Sequence, residues 1–232
     1  MRAVLLAYQQ RGLDPVSALQ KARIAPAELA DPDARVSALQ FERLCLAAMQ
    51  ELDDEAPGWF SRRLPWGSYG LLARASISAP TLGLALARWC RHHGLLTDDA
   101  QLRLDPGPPE ASVSITEARD LGALREFALL SLLRNLHGFA CWLVDAPIML
   151  HEARFPFPAP AHADLYARLF PGPVRFLAPQ AGLSFDAHAL KLPLRRDSRA
   201  LDQMLRRALP ILVWPYRRDG LLSPRVRQLL QQ

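Results

Sequence analysis

Apolar positions recur at helical spacing along the first ninety or so residues. Val4, Leu5, Leu6 and Tyr8 mark a first helix. "DPVSALQKAR" predicts a second, with Asp14 and Pro15 as N-cap and first-turn residues. "APAELAD" predicts a short helical turn. "DARVSALQFERLCLAAMQEL" carries the clearest period: Val36, Leu39, Leu44, Cys45, Ala48 and Leu52 share one face, and Ser37 with Gln40 has capping-box spacing. "DDEAPGWF" ends it, and a turn and a short helix follow in "RRLPWGSYGLLARASISAP". In "SAPTLGLALARWCRHHGLL", Ser78 is the expected cap and Pro80 fits the first turn. Leu82, Leu86, Trp89, Cys90 and His93 form the inward face, and Gly94 is the expected C-cap.

The period then changes from helical to alternating. "AQLRLD" and "ASVSITEA", separated by "PGPP", predict a hairpin. "LGALREFALLSLLRNLHGFACWLV" is apolar on most faces, which predicts a central buried helix. "IMLHEARFPF" reads as a strand, "PAHADLYARLF" as a short helix, and "PVRFLAP" and "AGLSFDAHAL" as extended segments. The order implies an α+β fold: an N-terminal helical lobe (about 1–96), then an antiparallel sheet packed with helices (about 97–195). Residues 196–232 form a linker. Its helix is capped by Asp197 or Ser198 and broken or kinked by Pro210, with Leu201, Met204, Leu205 and Ala208 as its apolar face. "LLSPRVRQLLQQ" begins another helix.

Composition narrows this picture. Half of the 232 residues are apolar, ample for a core. No uninterrupted apolar run approaches the ~18 residues of a membrane span, and the N-terminus lacks a small-residue cleavage site, so a cytoplasmic protein away from membranes is expected. Three scattered cysteines, Cys45, Cys90 and Cys141, read as buried reduced thiols. The net charge of +5 is uneven. Residues 1–190 hold 18 Lys/Arg against 20 Asp/Glu, net −2, and residues 191–232 hold 10 against 3, net +7. A basic tail is a footprint for a polyanion or a solvated helix face.

Candidate chemistry is sparse. Cys90 and His93 stand one helical turn apart, with His92 pointing elsewhere. A tetrahedral metal site needs four converging ligands, and a Cys–His nucleophile needs a third orienting group. Neither pattern is complete, so a helix end or a pocket wall is expected, with a metal- or thiol-dependent enzyme as the weaker alternative; no cofactor is implied. The chain contains no G-x-S-x-G, Walker A, G-x-G-x-x-G or H-E-x-x-H motif. The acids at 53–55 and 98–99 read as solvated loop charge. Trp59, Phe60, Trp66 and Tyr69 cluster before the Trp89 helix, which suits either a small-molecule cleft or a core. Arg134, on an apolar helix, needs a partner if buried and could anchor a carboxylate.

The stretch "GLLARASISAPTLGLALARWCRHHGLL" resembles the N-terminal effector-binding domain of AraC/XylS-type bacterial transcription regulators. The matching residues are Gly70, Leu71, Leu72, Ser78, Pro80, Thr81, Leu82, Ala85, Leu86 and Leu95. "GLDPVSALQKARIAPAELADPDARVSALQFERL" and "FPFPAPAHADLYARLFPGPVRFLAPQAGLSFDAHALKLPL" look like the family's opening and later half. Together they cover most of residues 4–195. The resemblance implies a sensor of a small-molecule effector, a homodimer, and DNA contact through a C-terminal pair of helix-turn-helix motifs that would begin near "SPRVRQLL" and lie beyond this chain. The effector is left unassigned. The expected ligand-binding residues are Trp66, Tyr69, Trp89, His93 and Arg134, and the expected dimerisation residues are Leu201, Met204, Leu205 and Ala208. A ligand-free dimerisation or interaction module is the alternative.

Overall fold

The computed structural model describes residues 1–25, 28–29 and 35–213. The expectations for "APAELAD" and for the helix beginning in "LLSPRVRQLLQQ" fall wholly or largely outside these residues.

The helical first part forms where its periodicity predicts, except that Leu39, expected on the inward face of its helix, is exposed because it lies in the first turn, outside the packed face of Leu44, Cys45 and Ala48. It comprises α1 (Arg2–Gln9), α2 (Val16–Ala22), α3 (Ala38–Glu51), α4 (Ser68–Ile77) and α5 (Leu82–His93). The capping box of α3 is complete: the Ser37 hydroxyl accepts from the Gln40 amide, and the Gln40 side chain accepts from the Ser37 amide. Two caps sit elsewhere than expected. Pro15 takes the N-cap position of α2, while Asp14 accepts the Val16 amide at 2.9 Å. Thr81, not Ser78, caps α5, because Ser78 closes the preceding helix and Pro80 lies between them. Gly94 ends α5 in an ordinary right-handed conformation.

The sheet contains β1 (Ala100–Asp105), β2 (Glu110–Glu117), β3 (Leu150–Arg154), β4 (Val174–Arg175) and β5 (Ala181–Asp186) in the order β1-β2-β5-β3-β4. It is antiparallel except at its end, where β3 and β4 pair in parallel. Central β5 is buried on both faces from Ala181 to Phe185. The long helix α6 (Arg125–Val144) is buried almost all round, as an apolar perimeter requires. With the turn before it, residues 122–144 are long and apolar enough to cross a membrane, yet 83% of the apolar window is buried within the fold. It is a core helix. The short α7 (Asp164–Leu169) seats Tyr166 against Phe155 and Phe176.

Two apolar cores result. One, built from α1, α2 and α3, holds Val4, Tyr8, Leu19, Leu44 and Leu52. The other joins α4 and α5 to the sheet and α6. The inward face of α5 (Leu82, Leu86, Trp89) packs with the sheet in the second core. Phe127 of α6 touches both cores.

After the sheet the chain returns across the fold. Leu82 donates to the Leu192 carbonyl at 2.9 Å, Arg195 donates to Leu143 at 2.7 Å, and Arg196 pairs with Asp145 at 2.6 Å. Asp197 caps α8 (Ser198–Leu205). This helix ends well before Pro210, which starts the short α9 (Pro210–Val213). The apolar face of α8 is turned onto its own chain: Leu201 is fully buried, and Met204 and Leu205 pack on the larger core. In this arrangement Leu201 is enclosed by its own chain, while Met204, Leu205 and Ala208 stay partly exposed. Ile211 lies against Gly138 of α6, where a Cβ would stand 2.3 Å from Ile211 Cγ2 and 2.7 Å from its carbonyl oxygen. Only glycine admits so close a crossing.

Candidate functional site

The loop between α3 and α4 is built around carboxylates. Asp54, 1% exposed, accepts the amides of Ala56, Gly58 and Leu64 at 3.0–3.1 Å and pairs with Arg11. Asp53 accepts the Trp66 amide, and Glu55 those of Gly67 and Tyr69. Asp99 accepts the amide and hydroxyl of Ser61. The expectation of solvated loop charge is therefore corrected for Asp54, Glu55 and Asp99. The loop satisfies only some of its amides with its own carbonyls, as Glu55 with Leu64 at 2.7 Å and Trp59 with Ala56 at 2.9 Å, and side-chain acceptors take others.

This loop helps to wall two adjoining cavities. The first, about 280 Å³, lies at the seam between the two cores. Val4, Phe41, Cys45 and Met49 line it together with Trp59, Phe127 and Leu130, and Leu209 from the linker joins them. The second, about 490 Å³, lies between α3, the start of α4 and linker residues 205–209. Glu42, Met49, Asn135 and Leu209 line both. Between the cavities Arg207 of the linker grips Glu42 of α3 bidentately, at 2.6 and 2.7 Å.

Arg134 brings a cation to the first cavity. It is 1% exposed and lines the wall. One Nη lies 3.4 Å from His137 Nδ1, and His137 Nε2 lies 2.8 Å from the Ile148 carbonyl. A carbonyl only accepts, so Nε2 carries the proton and Nδ1 accepts from Arg134. Burial lowers the Arg134 pKa to about 10, which leaves it charged at neutral pH. The indole N–H of Trp59, buried in the same wall, meets no acceptor among the described residues.

The five expected ligand-binding residues separate into three groups. Trp66 and Tyr69 line the second cavity and Arg134 the first. Trp89 stands behind Tyr69, their rings 5.3 Å apart, and packs at a tilt against Phe139, 4.8 Å away. His93 is 2% exposed, edge-on to Phe60. Neither Trp89 nor His93 is among the residues lining these cavities. Periodicity placed both on the inward face of α5, where core and cavity cannot be told apart. Sequence reasoning missed Glu42, Cys45 and Leu209 as cavity residues, although the helical period of Cys45 marked its inward direction; the sequence marks Trp59 only as one of an aromatic cluster suited to a cleft or a core.

Burial pushes the Cys90 thiol up to about 12 and the His93 pKa down to about 4, so a thiolate–imidazolium pair is disfavoured from both sides. Cys45 and Cys141 are raised likewise, to about 12 and 11. Among the described residues no group of three His, Cys, Asp or Glu is placed to hold a metal ion.

The buried histidines predict acid sensitivity. Burial lowers both His93 and His137 to about 4, against an ordinary 6.5. Between those values the unfolded chain binds protons that the folded chain refuses. The stability they contribute is full above pH 6.5 and falls as pH drops towards 4, by at most about 2.7 kcal/mol per pH unit for two protons. Urea unfolding at pH 7 and pH 4.5 should show the loss, and His137→Gln should reduce it. An equal loss in the variant would remove His137 from the account.

Residues 12–194 match the family described as the N-terminal arabinose-binding domain of AraC transcription regulators. The ornithine utilization regulator of Pseudomonas aeruginosa is 31% identical over 232 residues, covering 98% of this chain and 68% of that protein. The crystal structure of the transcriptional regulator CdpR from Pseudomonas aeruginosa is similar at 19% identity and a TM-score of 0.46, over 82% of this chain. The chain spans 58% of the length of that structure. With the family match covering most of its length, the chain belongs to the AraC-type transcription regulators and carries their arabinose-binding-type N-terminal domain.

Proposed function

We propose that this chain is the effector-sensing part of a cytoplasmic AraC-type regulator, and that its linker reports cavity occupancy to a DNA-binding half. The observation that carries this reading is that linker residues wall both cavities: Leu209 the first, and Leu205 to Leu209 the second. A ligand in either space touches the segment that leads out of the domain. Dimerisation through Leu201, Met204, Leu205 and Ala208 requires α8 to leave its dock, since Leu201 is fully buried there. Docked and dimerised linkers then exclude each other, which makes a two-state element that an effector can bias. DNA contact would follow from a homodimer reading paired half-sites.

The relative's name points to ornithine.

A panel of small metabolites, screened by thermal shift, tests the reading. A compound that raises Tm should also alter hydrogen exchange across residues 205–211. Stabilising compounds that leave 205–211 unchanged would favour a pocket uncoupled from the linker. If no compound stabilises the chain, the ligand-free dimerisation module becomes the better account.

A further inference from the structure

The charges of the linker divide into two sets. Arg196 pairs with Asp145, Asp202 with Arg74, and Arg207 with Glu42, so these three hold the segment against the domain. Asp197 caps α8. Lys191, Arg195, Arg199 and Arg206 are exposed and form no ion pair among the described residues. Arg199 and Arg206 stand seven residues apart, close to two helical turns, and so share one side of α8. Leu201, Met204 and Leu205 occupy the opposite side, where Leu201 is fully buried. Exposed Gln203 falls between the two arginines. The acid within α8, Asp202, is engaged by Arg74 at 2.7 Å. A helix side that is merely solvated mixes both signs, and this one carries a single sign. The body of the chain has the opposite balance, net −2 over residues 1–190, so a polyanion is drawn to the linker and not to the body.

We propose that the outer side of α8 is a phosphate-contact surface, on which Arg199 and Arg206 bind the backbone of duplex DNA, with Lys191 and Arg195 adding charge ahead of the helix. DNA is the partner because the chain belongs to a family of transcription regulators. Seven residues of helix span about 10 Å, a length over which duplex DNA carries about six charges. Contacts of this kind read no bases; they supply affinity and fix orientation. The inference goes beyond the sensor reading, takes from it only DNA as the partner, and requires no effector. It is compatible with the docked linker, since the buried and the outer sides of α8 are different faces.

Fluorescence anisotropy of a labelled duplex of arbitrary sequence, titrated with the whole chain between about 50 and 200 mM salt, tests the surface. Each phosphate contact adds about 0.9 to the steepness with which log affinity falls against log salt. Arg199→Gln/Arg206→Gln should therefore flatten that slope by about 1.8. Arg91→Gln/Arg103→Gln removes the same charge from exposed positions on α5 and β1 and should leave the slope unchanged. The four arginines within residues 214–232 are present in every protein compared, so the difference reports α8 alone. All four substituted side chains are exposed, and an unaltered urea transition verifies that each variant is folded. No binding at 50 mM salt, an unchanged slope in Arg199→Gln/Arg206→Gln, or an equal flattening in Arg91→Gln/Arg103→Gln would each overturn the proposal. Binding to phosphatidylserine vesicles without binding to the duplex would overturn it in favour of a membrane surface. Hydrogen exchange at 205–211 is read without DNA, so failure here leaves the sensor reading standing, and failure there leaves the phosphate contact standing.

Discussion

Replacing Asp54 with Ala should lower the free energy of unfolding by about 3–5 kcal/mol, the range for removing one partner of a buried charged network. Asp54 is 1% exposed and accepts the amides of Ala56, Gly58 and Leu64 while pairing with Arg11. Its loss leaves those amides without their acceptor in a place water cannot easily reach, at about 1–3 kcal/mol for each one left buried and unsatisfied. The neighbouring Asp53 is a control within the same run of acids. It is exposed and accepts one amide, that of Trp66, so Asp53→Ala should cost about 0.5–1.5 kcal/mol. Urea denaturation of the two variants, side by side, measures the contrast. A similar small loss for both would mean that Asp54 is another solvated loop acid. Since Pro57 and Trp59 of this loop wall the first cavity, Asp54→Ala should also weaken whatever the cavity binds.

Gly138→Val should release the linker with little effect on the rest of the fold. The Cβ alone would lie 2.3 Å from Ile211 Cγ2 and 2.7 Å from a backbone oxygen. A side-chain methyl can swing away; a carbonyl moves only if α9 moves with it. Overpacking of this kind costs about 1–3 kcal/mol. By comparison, the Arg207–Glu42 pair, whose arginine is 64% exposed, is worth at most about 1 kcal/mol. The crossing at Gly138 therefore outweighs the ion pair in holding α9. Hydrogen exchange across 205–211 should accelerate roughly five- to 150-fold, the factor that 1–3 kcal/mol represents. Gly138→Ala should fall between the variant and the wild type. If docking and dimerisation exclude each other, sedimentation should also show more dimer in Gly138→Val. Unchanged exchange would remove the linker dock as a switch.

Much of the architecture is legible in the sequence, because it is written in local periods. The capping box at Ser37 and Gln40, the inward face of α5, the hairpin of β1 and β2, and the all-round apolar α6 each depend on residues a few positions apart. The family resemblance was legible for a similar reason: its motifs lie in order along the chain and need no spatial knowledge. The caps of α2 and α5 were misplaced by one to three residues, where serine, threonine, aspartate and proline compete for the same turn.

What a residue faces across the fold was not legible. Periodicity marked Leu201 as apolar and inward but could not say whose core it enters; α8 packs on its own chain. It grouped Trp66, Tyr69 and Trp89 as aromatics, and the fold put the first two beside a cavity and the third behind them. It read Asp54 and Asp99 as loop charge, because the amides they accept become partners only when the chain closes around them. The cavities belong to no segment. They are gaps left where α3, α6 and the linker meet, and their shape depends on packing between residues up to about 200 positions apart, such as Val4 and Leu209. The sequence by itself determined the elements, their inward faces and the family, since these follow from neighbouring residues. Tertiary structure alone decided which buried groups become partners, and where empty space remains.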